Sequence, residues 1–235
     1  MVDFSKCTDA EIRRLQELLY ALRTPCDSWV LPSSKWKQNG FLDEFSSRLF
    51  AHHIFLHHPL MQDSFDSAFI SSAELSGYSV TPASPGQRFW DVNINGESLS
   101  LKTTKAKGLK KDSLHISKLT EAAWIQDCRT ASARKEYTLA LFSAYFKEVD
   151  SIYQFRYFSK KNIYELVEIP VELLKPILDI PKKYFATDGP SISIPVGSDE
   201  PDLTLKLDRS DAKITLANIK KDRCVVHARW DFSRA

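Results

Sequence analysis

Cysteine is scarce and never paired. Cys7, Cys26, Cys128 and Cys224 are scattered along 235 residues without a Cys-x-x-Cys spacing. That distribution argues against a zinc knuckle or a disulfide framework and for free thiols in a reducing compartment. Glycine is almost as sparse, seven residues in all. It builds neither a phosphate-cradling loop nor a Gly-x-Ser-x-Gly elbow, so nucleotide hydrolases and serine hydrolases lack support. No apolar run approaches the roughly 20 residues that would span a bilayer. The start, Met1-Val2-Asp3-Phe4-Ser5-Lys6, lacks the basic-then-apolar signature of a secretory signal. The expectation is an intracellular chain with no membrane partner. Charge of either sign is not in excess: 32 basic against 30 acidic residues leave +2, which says little about partners. Repeats, low-complexity tracts and a clear domain boundary are all missing, so one domain over 1–235 is expected.

What is present fits a globular α/β protein, with 43% hydrophobic and 26% charged residues. Thr8 and Glu11 have capping-box spacing ahead of the stripe Ile12, Leu15, Leu18, Leu19 and Leu22, predicting a helix over 8–24 that Pro25 ends. Residues 27–40 read as an irregular connection, and further helices are expected over 43–58 and 60–75. Ser117 is expected to cap a helix running to about 128, and another covers 132–149. Strands are expected over 151–158, 164–169, 203–207, 213–219 and 224–232. Between them, a short helix opens at Pro170 and ends near 178, and 181–202 form loops around one short strand.

From Phe89 to Thr103 the period switches to alternation, with Asn95-Gly96 in the middle, a strong hairpin signal. If Asn95 and Gly96 form a two-residue turn, Ile94 pairs with Glu97, Val92 with Leu99, and Asp91 stands opposite Ser100. Val92, Ile94, Leu99 and Leu101 then share one face with Glu97. Asp91, Asn93, Ser98, Ser100 and Lys102 share the other. An acid and a lysine lie diagonally across paired strands, roughly 5–8 Å apart. A four-residue loop would set Asp91 directly opposite Lys102 and keep them together. Phosphodiester hydrolysis uses such a pair: a carboxylate to hold a hard cation such as Mg²⁺, and an ammonium to orient water or stabilise the charge of the transition state. The bland alternative is a surface ion pair worth under ~1 kcal/mol.

Thr103, Thr104, Lys105, Lys107, Lys110 and Lys111 follow directly, with His115 and Ser117 extending the polar run. Groups suited to a DNA backbone thus adjoin the proposed catalytic pair. The last strand sets His227, Arg229 and Asp231 against Val226, Ala228 and Trp230, and Arg229 is a candidate guanine reader. His52-His53 and His57-His58 invite a zinc reading, but nothing in the sequence supplies a third ligand, and a packing or surface role is expected.

Asp91 followed by Ser100-Leu101-Lys102 resembles the active-site hairpin of the PD-(D/E)xK nuclease superfamily, and more narrowly the SmaI-type restriction endonucleases. The similar segments are spread along nearly the whole chain. They include Phe41-Leu42-Asp43, Arg48-Leu49, His52-His53, Phe65-Asp66-Ser67-Ala68-Phe69, Leu101-Lys102-Thr103 and His115-Ile116-Ser117-Lys118. Further on come Arg156-Tyr157-Phe158, Leu166-Val167-Glu168-Ile169-Pro170, Cys224-Val225-Val226-His227 and Trp230-Asp231-Phe232. The resemblance implies an α/β (α+β) restriction-endonuclease-like core, a mixed central sheet flanked by helices. It implies a cytoplasmic bacterial or archaeal enzyme that uses Mg²⁺ and cuts double-stranded DNA as a homodimer. The site would be a short GC-rich palindrome such as CCCGGG, and residues 150–235 would serve recognition and dimerisation. A cognate DNA methyltransferase would belong to the same system without being a physical partner. Asp91 would ligate the metal with the carbonyl of Leu101, and Lys102 would be the catalytic lysine. One departure stands out. The superfamily's second carboxylate normally occupies the position of Ser100. Glu97 lies ~10 Å away on the opposite face, so Asp43 is the first candidate for the missing acid, followed by Asp66 and Glu74. Without a second acid, a non-catalytic nucleic-acid-binding protein using 102–111 is the alternative.

Overall fold

The computed structural model describes residues 4–197 and 200–234. Two antiparallel-rich sheets and four α-helices appear in chain order as α1 (Asp9–Leu22), β1 (Asp27–Val30), α2 (Phe41–Phe50), α3 (Gln62–Leu75), β2 (Val80–Pro82), β3 (Val92–Ile94), β4 (Glu97–Thr104) and β5 (Ser113–Glu121). After these come α4 (Ala131–Glu148), β6 (Ser151–Phe158), β7 (Ile163–Pro170), β8 (Ser191–Val196), β9 (Leu203–Asp208), β10 (Lys213–Lys220) and β11 (Val225–Asp231). The central sheet has the order β1-β11-β7-β6-β4-β3-β2, and a smaller sheet has the order β5-β10-β9-β8. Among the described residues only β4 and β6 run parallel; α4 lies in the crossover between them.

Helices and the small sheet bury both faces of the central sheet. On one face α2 and α3 contribute Phe41, Phe45, Phe65 and Phe69 against Leu99, Leu101, Tyr153, Phe155 and Trp230. On the other, α4 and the small sheet pack Phe142, Tyr145, Leu205 and Leu216 against Ile152, Val167 and Ile169. Burial from both sides leaves β6 and β7 buried along almost their whole length, the polar side chains of Ser151, Gln154, Arg156 and Glu165 included. Among the described residues no helix is long and apolar enough to cross a membrane.

The capping box at Thr8 and Glu11 forms as expected, yet no residue of the stripe it introduces is fully buried: Ile12, Leu18 and Leu22 are half-buried and Leu15 and Leu19 exposed. Other segments differ more. Residues 117–121 are strand and not helix, followed by a 3-10 turn at Ala123–Gln126. The cause is irregular pairing: β5 shifts register twice against β10. The buried positions therefore step from Leu114 and Ile116 to Leu119, and a bulge imitates helical spacing. The connection at 27–40 contains β1, an edge strand, and a 3-10 segment, Lys35–Gly40. The second helix stops at Phe50 and continues only as a π-turn, Ala51–Phe55. Pro170 closes β7, and the helix beyond it is 3-10, Val171–Asp179.

Candidate active site

Asn95 (φ 52°) and Gly96 (φ 89°) form the two-residue turn, with Val92 opposite Leu99 and Ile94 opposite Glu97. Positive φ at both positions matches the twist of the flanking strands, which is why Asn-Gly is favoured there. The two-residue register is the one adopted, and Val92, Ile94, Leu99 and Leu101 are buried against α2 and α3. Asp91 sits just before β3. Its N–H donates to the Leu99 carbonyl at 2.8 Å and its carbonyl accepts from Ala83 at 3.0 Å. Its Oδ2 accepts from the Leu101 amide at 2.6 Å and the Ser100 hydroxyl at 3.4 Å. Lys102 Nζ lies 3.5 Å from the same oxygen and 3.1 Å from the Leu101 carbonyl oxygen. Acid and lysine thus share one side of the sheet.

A second carboxylate reaches this point from α3. Burial pushes Asp66 up to about 6. Hydrogen bonds from Gln62 pull it down, while the negative charge of Asp91 pushes it further up. Two like charges facing each other in a half-buried site favour a cation between them. The other candidate acids stand elsewhere. Asp43 is exposed in the first turn of α2, and Glu74 is exposed near the end of α3. Neither lines the cleft around Asp91. Glu97 is ion-paired with Lys35 on the exposed rim.

That cleft, about 740 Å³, is lined by Asp66, Asp91 and Lys102 together with Arg88, Thr103, Ser117, Lys118 and Gln154. Of the expected phosphate contacts, Thr103 and Ser117 therefore face the site. Thr104 is half-buried at the end of β4, and Lys105, Lys107 and Lys110 are exposed in the loop beyond it. Buried Arg156 pins that loop through the carbonyls of Lys110 (2.6 Å) and Ser113 (3.1 Å). His115 is exposed on β5, and its carbonyl accepts from Gln154 Nε2 at 2.8 Å. Lys111 and Arg229 are brought together elsewhere, in a separate concavity of about 870 Å³ that also holds Lys161 and Lys221. Arg229 pairs there with Asp231 at 3.2 Å. Sequence reasoning did not single out Gln62, Arg88, Lys118 or Gln154 as site residues. Lys118, next to Ser117, carried a usable signal in its charge. Gln62, 39 residues before Leu101, carried none.

His53 is packed among Tyr157, Tyr164 and Phe232, with Nδ1 2.9 Å from the Tyr164 hydroxyl. Among the described residues no three His, Cys, Asp or Glu side chains converge as a metal cluster. The donors available near Asp91 are two carboxylates and the carbonyl of Leu101. These are hard oxygens of the kind that suit a hard divalent cation retaining several waters. The same oxygens already attract positive charge: the ammonium of Lys102 rests on Asp91 and Leu101. The residues fit such a cation.

Comparison with known proteins gives the same direction. The chain is 29% identical over 210 residues to the type II restriction enzyme SmaI of Serratia marcescens, covering 83% of this chain and 80% of the relative. No solved structure matches it significantly. The family model described as SmaI, type II site-specific deoxyribonuclease, matches residues 4–232. With a match of that extent laid over a cleft that joins two carboxylates and a lysine, the chain belongs to the SmaI family of type II site-specific deoxyribonucleases.

Proposed function

We propose that this chain is a Mg²⁺-dependent, homodimeric restriction endonuclease of the cytoplasm that cuts duplex DNA within a short GC-rich palindrome of the CCCGGG type. Asp91, Asp66 and the Leu101 carbonyl would hold the metal, and Lys102 would be the catalytic lysine. Bound there, the divalent cation supplies charge against the attacked phosphate and makes a water more acidic. The observation that carries the reading is the position of Lys102 Nζ, 3.5 Å from Asp91 and 3.1 Å from the Leu101 carbonyl. An ammonium there can orient the attacking water or take up charge on the pentavalent phosphate. Ser100, fully buried, directs its hydroxyl to Asp91 and so orients the acid. Thr103, Ser117, Lys118 and Arg88 line the approach of the phosphate backbone, with Lys105, Lys107 and Lys110 on the adjoining loop. The family membership supports the palindromic site and the dimer, since two-fold DNA symmetry is met by two copies of one chain.

Incubation with plasmid DNA and Mg²⁺, followed by sequencing of the ends, tests this directly. One fixed short site is expected, with cleavage abolished by chelation. Asp91→Ala and Lys102→Ala should each lower the rate on the order of 10³-fold while retaining DNA binding. Wild-type rates in either variant would remove the assigned site.

A further inference from the structure

The catalytic strand outruns its partner. β4 continues to Thr104 and is paired with β6 from Leu99 to that end, but on its other side β3 covers it only from Glu97 to Leu99. Beyond Leu99, the amide of Leu101 is taken by the Asp91 carboxylate at 2.6 Å. The next two main-chain groups on that edge, the Leu101 carbonyl and the Thr103 amide, have no strand to meet. One side chain answers both. Gln62, the first residue of α3, donates from Nε2 to the Leu101 carbonyl at 3.1 Å and accepts at Oε1 from the Thr103 amide at 3.1 Å. This is the donor–acceptor pair that a peptide group of a neighbouring strand would present. Oε1 also accepts from the Thr103 hydroxyl at 3.3 Å.

The amide has a second N–H, and it goes to Asp66, with Nε2 at 2.9 and 3.0 Å from the two carboxylate oxygens. A backbone N–H can only donate, so the Thr103 amide fixes which end of the Gln62 amide carries oxygen. All of its hydrogen-bonding capacity is then directed at the site. The two groups on its nitrogen are the Leu101 carbonyl and the Asp66 carboxylate, both candidate metal ligands, one on a strand and one on a helix.

We infer that Gln62 is a positioning residue for the nuclease reaction: it continues the sheet where β3 ends and fixes the Leu101 carbonyl and Asp66 relative to each other. This rests on the reading of Asp91, Asp66 and Lys102 as the catalytic centre. Groups that orient metal ligands without touching the metal are worth roughly 10- to 100-fold in metal affinity or activity. Gln62→Met keeps the length and removes every hydrogen bond. Gln62→Ala, well tolerated in a helical first turn, serves as the second variant.

Three readouts are compared in wild type, both variants and Asp91→Ala. They are kcat and KM on plasmid DNA, Mn²⁺ binding to the free protein from the electron paramagnetic resonance of unbound Mn²⁺, and hydrogen exchange over residues 100–104. The expected result is a fall in kcat and a weakening of Mn²⁺ binding by about 10- to 100-fold each. KM should stay within about threefold, and exchange at the Thr103 amide should become faster. Wild-type kcat and Mn²⁺ binding in both Gln62 variants, alongside an inactive Asp91→Ala, would overturn the positioning role and leave the catalytic centre standing. Full activity in Asp91→Ala would overturn both.

Discussion

Ser100 shows how a single position redistributes chemistry. Its side chain is fully enclosed and gives its hydroxyl to Asp91, so this position bears on the orientation of Asp91 and adds no charge of its own. The second carboxylate lining the cleft is that of Asp66, which burial pushes up to about 6. From sequence Asp43 was the first candidate, with Asp66 and Glu74 behind it. Surroundings separate the first two: Asp66 lines the cleft, while Asp43 is exposed in the first turn of α2. Asp66→Asn is therefore expected to reduce Mg²⁺-dependent cleavage on the order of 10²- to 10³-fold, and Asp43→Asn to leave it within about twofold, as surface changes usually do. Single-turnover cleavage of a labelled duplex measures both. A strong loss in Asp43→Asn with an active Asp66→Asn would reverse the assignment.

At the scale of elements, the hairpin and α3 make the site together. The hairpin was legible because three local signals agree on it: alternation, Asn-Gly, and apolar residues confined to one face. Gly96 matters to that agreement, since its φ of 89° strains any residue with a Cβ even though open space surrounds it. Gly96→Ala should cost about 1–2 kcal/mol, seen as a Tm lowered by several degrees. Cleavage should persist, because β4 is held in register by β6 along six paired residues. Loss of cleavage at temperatures where the variant is folded would show that the turn sets the catalytic geometry by itself. β5 was illegible for the opposite reason. Its bulged pairing with β10 moves the buried positions out of a two-residue period, and a local pattern cannot separate that from helix. The contribution of α3 was half legible: its helical spacing could be read, but the sheet edge against which Gln62 and Asp66 lie could not.

Across the whole molecule, a polar network fastens the central sheet to the segment before α2. Burial works against the charge of Glu168, but hydrogen bonds from His227, Ser151 and Tyr153 outweigh it and hold the carboxyl down at about 2. His227 reaches on from Nδ1 to Ser34 at 2.8 Å, and Ser34 caps the 3-10 turn that carries buried Trp36. β6, β7, β11 and that turn are thereby tied through one carboxylate. The folded-state value lies below the ordinary 4.5, so the stabilisation is complete above pH 4.5 and is lost as pH falls toward 2. It amounts to about 3 kcal/mol. Glu168→Gln should flatten the decline in Tm between those pH values and lower Tm at neutral pH. Parallel acid-melting curves for variant and wild type would refute the network's role.

The sequence by itself determined what short-range physics can write. Turn chemistry at Asn95-Gly96 and strict alternation set Asp91 and Lys102 on one face, and nothing distant was needed for that. The paired strands 151–158 and 164–169 were likewise readable from local pattern and turn. Tertiary structure alone decided which helix brings a second carboxylate into the cleft, that Gln62 meets the main-chain groups a further strand would meet, and that Lys111 and Arg229 lie in a concavity apart from the cleft. These depend on which chain segments cover an unfinished sheet edge. That choice is made by packing between residues dozens of positions apart, where hydrophobic periodicity fixes which side of an element is buried but not what it is buried against.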